Sequence, residues 1–463
     1  MEMLMTWALP AAVGAIILAS FFVSPRVRYA DGFFKGTAPD GVAPGVVTLV
    51  LSQVTTWVFA RSLMNAAILG FYFGLPGTLA YAGYYLSFLT GGAIIHSLRF
   101  RHGHSSVQGF LSARYGRLGT GCYNVLIAVR LLSEVFANLL VVGIIFGQAG
   151  TLEYNLAIGA IAVLTLVYSM LGGLRASLRT DVLQMVLLIG VLGALLMQLG
   201  FAGELDLTGM LATTGSADAG PGWVLLAVAG LQVWSYPMHD PVMMDRGFLA
   251  DRRTTRRSFL HAAWLGTLTI LAFGLIGVNA GLVSMEGEAM MDTLARQLAP
   301  STLLLFNLAL VISAVSTLDS TLSSAAKLTV VDMGLAPPKL QSGRLFMAGF
   351  MAGGLLLLFA GSDDLFSAVA VSGTASMFLA PVIVLTLWGG LTAPRWSYFT
   401  AFAAALTGAV LYFLETAGHL AVMAPATGLE HKYSQLLVIC VAVLAIGFGA
   451  FAAGLAGPRA RRA

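Results

Sequence analysis

Charge is what this chain has least of. Asp, Glu, Lys and Arg make up 10% of its 463 residues, against 58% hydrophobic residues and a mean hydropathy of +0.86. An ordinary soluble domain carries roughly 25% charged residues, so a soluble fold is excluded. Cysteine is nearly absent: Cys122 and Cys440 both fall in apolar stretches, which excludes a disulfide framework. No nucleotide-binding loop is present, so ATP drive has no cradle for its phosphates. No nucleophile and base pair stands out either, and the chain is expected not to be an enzyme. His102 and His104 share a loop without a matching Cys or carboxylate cluster, a poor start for a metal site.

What the chain does have is apolar stretches of the length a bilayer demands, about 20 residues each, recurring almost end to end and giving about thirteen spans. They fall near 5–23, 44–75, 76–97, 119–148, 153–171, 180–203, 222–242, 259–283, 300–332, 344–361, 364–392, 396–416 and 433–456. The first follows an acidic Met1-Glu2 start, so it is expected to be a retained span and not a cleaved leader.

Loop charge orients these spans, because Lys and Arg concentrate in cytoplasmic loops. With the N-terminus outside, the cytoplasmic loops collect Arg26, Arg28 and Lys35; Arg99, Arg101, Arg114 and Arg117; Arg175 and Arg179; Arg246, Arg252, Arg253, Arg256 and Arg257; Lys339 and Arg344; Arg395; and Arg459, Arg461 and Arg462. The external loops hold Arg296 and Lys432 beside acidic residues such as Glu204, Asp206, Glu286, Glu288 and Asp292. The net charge of +4 thus describes orientation and contact with anionic lipid, not a nucleic-acid surface. The expected setting is a bacterial-type inner membrane, with the C-terminus cytoplasmic and no obligatory protein partner.

A charge at the centre of a span costs about 2.5 to 3.5 kcal/mol on insertion scales, so in-span ionisable residues mark function. They are Arg61, Arg130, Glu134, His239, Asp240 and Asp319; Lys327, five residues before Asp332, can snorkel to the interface. Arg130 and Glu134 stand four apart on one helical face, which fits an internal ion pair as well as a substrate-facing role. Arg61 has no partner at helical spacing and is expected to meet a carboxylate on another helix or on a solute.

Three polar interruptions stand out. The run Leu51-Ser52-Gln53-Val54-Thr55-Thr56-Trp57 interrupts a long apolar stretch and looks like a discontinuous helix, whose freed carbonyls suit a hard cation. A straight span with hydroxyls bonded to the preceding turn would explain it too. Trp234-Ser-Tyr-Pro237-Met-His239-Asp240-Pro241 is a second interruption, open to reading as a broken span or a simple helix end. In the third, Ser313, Ser316, Thr317 and Ser320 line one face of the 300–332 span beside Asp319, a hydroxyl cluster suited to a hard cation or to small-residue packing.

These residues carry a resemblance to the sodium:solute symporter family. The most specific stretches are Tyr168-Ser-Met-Leu-Gly172-Gly173-Leu-Arg175-Ala-Ser-Leu-Arg-Thr180-Asp181-Val-Leu-Gln184 and the Ser316-Thr317-rich helix ending at Asp332; Tyr29 to Gly36, Val107 to Gly116 and the Pro/His stretch before Arg246 match more weakly. The resemblance implies an all-α integral membrane protein of LeuT-type fold with a 5+5 inverted repeat. Residues 1–43 would form a leading span and loop, 44–203 the first five-helix repeat, 204–392 the inverted second, and 393–463 two trailing spans and a basic tail.

It also implies one Na⁺ site, with ligands from the carbonyls of Leu51, Val54 and Ser313 and the hydroxyls of Ser316 and Thr317. Ser313 stands where an alanine is expected, which a carbonyl ligand tolerates. Asp181 looks like the family's acidic residue that receives Na⁺ as it leaves; helix capping with Thr180 fits its position equally. The family's solute region falls around Gln53, Thr56, Trp57, Arg61, Glu134 and the stretch from Trp234 to His239. The function so implied is Na⁺-coupled symport of a small polar solute, amino acid or organic acid first, by alternating access. A proton-coupled or uncoupled carrier using Glu134, Asp319 or His239, and a solute-sensing receptor, remain as alternatives.

Overall fold

The computed structural model describes residues 2–201, 203, 205–360 and 365–456. Glu204 of the expected external loops and the basic tail residues Arg459, Arg461 and Arg462 lie outside them. Among the described residues the structure is 81% helix and shows no strand, the outcome expected where lipid leaves backbone groups no partner but their own helix. Among the described residues, eight helices are long and apolar enough to cross a membrane, and four shorter apolar helices accompany them.

Helix occupies every apolar stretch expected from the sequence, and three of the long helices hide a boundary. Gly74, Gly116 and Gly173 adopt φ of 62°, 73° and 55° inside Ala60–Gly83, Val107–Phe146 and Leu152–Phe201. Each sits at or near an expected span end. At Gly173 a Cβ would also run into the Phe33 carbonyl, so only glycine lets the Ala30–Lys35 helix press against this bend.

Two helices are broken, as the first and second interruptions anticipate. The first runs Val46–Thr55, loses helical form at Thr56 to Phe59, and resumes as Ala60–Gly83. The freed backbone groups find side chains from other helices: Tyr85 donates to the Trp57 carbonyl (2.6 Å), Ser313 donates to the Val58 carbonyl, and Asn138 Oδ1 accepts from the Ala60 N–H (3.1 Å). That provision is what permits irregular backbone at membrane depth.

The second runs Gly220–Gln232, passes through a 3-10 turn at Tyr236–His239 and restarts as Pro241–Gly247. Here Thr90 donates to Val233 O (2.6 Å), Tyr123 to Met238 O (2.7 Å), and Asp240 caps the restarted helix at Met243 N (2.9 Å). The Pro/His stretch is therefore a break within the fold and not a simple helix end. Asp240, counted among the in-span charges, is the residue that makes the restart.

Burial sorts centre from rim. The most apolar window of Ala60–Arg101 is 78% buried and that of Pro300–Asp332 67%, whereas those of Leu152–Phe201 and Lys432–Ala456 are 33% buried. The half-broken helix and the hydroxyl-rich helix Pro300–Lys327 are thus the core, and the outer helices present apolar side chains outward, as a bilayer requires. Ala60–Gly83 and Arg252–Leu282 meet through glycines: a Cβ on Gly277 would strike the Ala67 carbonyl, and one on Gly70 the Gly274 carbonyl.

Candidate functional site

The end of Val46–Thr55 faces the middle of Pro300–Lys327. Thr55 Oγ1 donates to Ser316 Oγ at 3.0 Å, and Thr317 Oγ1 donates to the Ser313 carbonyl at 2.9 Å. The expected cation ligands therefore lie on two facing elements, and the set is all oxygen, the chemistry a hard cation prefers. The Val54 carbonyl, at the break, already accepts from Trp57 N (3.0 Å) and Val58 N (2.8 Å). Thr55, absent from the expected ligand set, is the residue that actually bridges the two helices.

Asp181 lies eight residues past the Gly173 bend, within a helix and not at its start, so capping does not describe it. Its carboxylate is fully buried and paired with Arg246 (2.9 Å), itself fully buried. Around the pair gather hydroxyls from three elements. Ser52 (2.5 Å) and Ser177 (3.3 Å) donate to Oδ2, and Ser316 (3.2 Å) and Ser320 (3.1 Å) donate to Oδ1. Ser316 thus connects the expected Na⁺ ligands to Asp181 directly. Beside it Asp319 accepts from Thr180 (2.6 Å) and Ser320 (3.2 Å) and has no ion pair among the described residues.

Arg246 is the main correction to the sequence reading. Counted there as a cytoplasmic loop cation, it sits at the centre of this cluster, because Pro241–Gly247 turns inward after the second break. Its Asp-Arg neighbourhood at the end of an apolar stretch gave no signal that it would be buried.

A second polar cluster lies on the other side of the first break. Arg61 meets Glu134 (2.7 Å), Glu134 meets Arg130 (3.2 Å), and Arg130 meets Asp240 (2.5 Å), all between 1% and 2% exposed. The expected Arg130 and Glu134 pair is present, and Arg61 finds its carboxylate on another helix. Trp57 Nε1 donates to Asp240 at 2.7 Å, and Arg130 lies over the Tyr236 ring at 4.9 Å. A cavity of about 20 Å³ opens here, lined by Trp57, Phe59, Arg61, Ser62, Tyr81, Tyr84, Tyr85 and Tyr236.

Several buried polar atoms of the expected solute residues have no partner among the described residues: Nε and Nη1 of Arg61, Oε2 of Glu134, both amide atoms of Gln53, and Nδ1 of His239. His239 otherwise contacts Ser372 through Nε2 at 3.3 Å. Thr56 bonds back to Ser52 O (2.8 Å), the ordinary helical habit. Trp234 is a second correction: 48% exposed and set against Trp388, it points away from the cavity. Of the four tyrosines in the lining, Tyr236 lies in the expected Trp234 to His239 stretch; Tyr81, Tyr84 and Tyr85 went unmarked in the sequence because a tyrosine in an apolar span has no distinguishing pattern.

At the end of the molecule that carries the basic loops, an open vestibule of about 880 Å³ reaches Asp245, Lys327 and Asp332. Lys327 bridges Asp245 (2.7 Å) and Asp332 (3.0 Å), and Ser324 donates to Asp245 (2.9 Å). Lys327, expected only to snorkel to the interface, is thus held between two carboxylates.

No family model matches the chain, and no curated protein matches it by sequence. Solved structures do match. The chain is similar to a Na⁺-coupled sialic acid symporter in a substrate-bound, outward-open state, with a TM-score of 0.74, 16% identity and 99% of each chain covered. It is also similar to a nucleobase-cation-symport-1 family transporter in a closed conformation with bromovinylhydantoin bound, with a TM-score of 0.57, 14% identity, and 93% of this chain and 95% of that one covered. At these identities what is shared is the fold, over essentially the whole length: the LeuT-type fold expected from the sequence.

Proposed function

We propose that this chain is a Na⁺-coupled secondary transporter that carries a small carboxylate-bearing solute by alternating access. The fold it shares with two cation-coupled symporters supports the transport reading. The observation that carries the solute class is Arg61. Its Nε and Nη1 are buried without partners among the described residues, on a residue that lines a cavity walled by aromatic rings, in a cluster where two arginines and two carboxylates already cancel. A planar guanidinium fork with idle donors fits a carboxylate bidentately, and the rings fit an apolar body.

Na⁺ sits, in this reading, among Leu51, Val54, Ser313, Ser316 and Thr317, with Asp181 on its way out. Solute sits among Gln53, Trp57, Arg61, Glu134 and His239, with Tyr84, Tyr85 and Tyr236 as further walls. The two sites share the first break, so an ion that fixes the end of Val46–Thr55 also fixes Trp57 and the wall of the solute cavity. Release is through the basic-loop vestibule, which makes that face cytoplasmic and places the N-terminus outside, in a bacterial-type inner membrane. The two five-helix halves, 44–203 and 204–392, are the moving repeats.

The test is thermal stabilisation of purified protein across a solute library with NaCl or choline chloride. Carboxylates should stabilise most, only with Na⁺, and Ser316→Ala with Thr317→Ala should abolish the Na⁺ effect. No Na⁺ effect on stability or on solute affinity would sink the sodium reading; a preference for neutral polyols would sink the carboxylate class. One observation favours a second reading, a proton-coupled carrier: Asp319, buried without an ion pair among the described residues, suits a proton site. Solute accumulation without Na⁺ that collapses with the pH gradient would select it.

A further inference from the structure

One short half-helix, Pro241–Gly247, carries two neighbouring charged residues that face different places. Arg246 faces the ion cluster. Its Nε donates to Ser52 (2.7 Å), its Nη2 to Asp181 (2.9 Å), Ser177 (3.1 Å) and Ser320 (2.9 Å), and its Nη1 to Val242 O (3.0 Å). A single guanidinium thereby ties the restarted helix to the first broken helix, to the Asp181 helix and to the hydroxyl-rich helix. Asp245, one residue back, faces the vestibule and holds Lys327 and Ser324.

Asp181 and Asp319 supply two carboxyl groups, and among the described residues Arg246 is the one cation paired there. With both carboxyls ionised, one negative charge stands uncompensated in a fully buried place, a strongly destabilising arrangement that a monovalent cation beside Ser316 cancels. Ser316, an expected cation ligand, donates to Asp181 directly (3.2 Å), so a cation there bears on the same carboxylate that Arg246 holds. Ion occupancy should therefore decide how firmly the cluster closes on Arg246, and with it how firmly Pro241–Gly247 is seated.

We propose that Arg246 and Asp245 are positioning residues by which ion occupancy of the Asp181 cluster controls the vestibule: Arg246 fastens the half-helix to the cluster, and Asp245 carries that fastening to Lys327. This rests on the Na⁺ reading above. With Na⁺ bound the half-helix stays seated and Lys327 stays on Asp245; without it the half-helix loosens and the vestibule deepens. The two contacts are on separate side chains, so the arrangement can be cut at either end.

The reporter is Asn124→Cys, a buried position lining the vestibule, in a chain whose two native cysteines are replaced by alanine. Labelling of purified protein with a bulky polar maleimide is timed in NaCl and in choline chloride, and Na⁺-dependent thermal stabilisation is measured on the same samples. Na⁺ should slow labelling roughly threefold or more. Asp245→Asn and Lys327→Gln should label fast in both salts while keeping the Na⁺ stabilisation, since neither touches the cation ligands. Arg246→Gln should lose the Na⁺ protection, and Arg246→Lys should recover part of it. Full Na⁺ protection in Asp245→Asn and Lys327→Gln would overturn the proposal, as would Na⁺ stabilisation in the reporter protein without any effect on labelling. Absence of Na⁺ stabilisation there would overturn the sodium reading itself, and this proposal with it.

Discussion

The chain of ion pairs from Arg61 to Asp240 makes a quantitative prediction. Two guanidinium groups and two carboxylates cancel, with separations of 2.7, 3.2 and 2.5 Å along the chain. Arg61→Gln leaves two carboxylates to one arginine. Glu134 still lies near Arg130, so the loss should fall at the lower end of the range for breaking a buried pair, about 3 kcal/mol. Glu134→Gln is worse, about 4 kcal/mol, because Arg61 keeps no carboxylate within reach and two cations then face Asp240 alone. The double variant restores neutrality around the intact Arg130 and Asp240 pair. It should be no less stable than Glu134→Gln, a coupling of about 3 kcal/mol. Gln at both positions keeps most of the volume, so cavity effects stay small. Denaturant titration of the four proteins in mixed micelles measures the cycle; thermal melts supply only the rank order, since heating such proteins is rarely reversible. Additive losses in the double variant would refute the compensation and, with it, the reading of Arg61 as a charge already balanced before solute arrives.

Three further outcomes follow from the packing and the loops. Tyr85→Phe deletes the hydroxyl that satisfies the Trp57 carbonyl in the first break and should cost about 1 to 3 kcal/mol, with a change in tryptophan emission; unchanged stability would show that the break does not need it. Gly277→Ala forces a Cβ into the Ala67 carbonyl and should cost about 1 to 3 kcal/mol by overpacking, read as a lower melting temperature, whereas alanine at Gly121, which has open space, should change nothing. At the exposed ion pair of Glu288 with Arg296 (2.7 Å), the Arg296 hydrogen bond, with the Met285 N–H, holds the carboxyl down to about 2 from an ordinary 4.5. A depressed carboxyl contributes fully above its unfolded value and is lost as pH falls through the folded one. Hydrogen-exchange protection of the adjoining Met290–Gln297 helix should therefore drop between pH 4.5 and 2, and Glu288→Gln should flatten that dependence.

Most of the architecture was legible because a bilayer enforces simple rules. Apolar length alone located the helices, and the two breaks announced themselves through clustered polar residues in otherwise apolar stretches, Ser52 to Trp57 and Ser235 to Pro241. The span ends expected at 75 and 171 fall within two residues of Gly74 and Gly173, where the structure places left-handed backbone. What length and composition do not encode is whether a helix end turns outward or inward. Arg246 follows a proline-rich break and precedes a loop rich in arginine, so charge placement assigned it to the loop; the inward seat of Pro241–Gly247 is held by the bonds of Arg246 to Ser52, Ser177, Asp181 and Ser320, contacts between elements far apart in the chain.

The same limit explains the candidate site. Each in-span charge was legible as an anomaly, yet only the Arg130 and Glu134 pairing could be read from spacing, because those two share a helix. Arg61, Asp240 and Asp181 resolve their charge across helices, and no periodicity joins residues 61 and 134 or 181 and 246. Trp234 failed for a related reason: it belongs to the right segment but to the wrong side of it, facing Trp388 while Tyr236 faces the cavity two residues on. A broken helix changes the phase of its faces at the break, so periodicity established before Gln232 does not carry to Tyr236. The residues that a sequence places least securely are thus those at the breaks, and these are also where backbone and side-chain polar groups are left free for an ion and a solute.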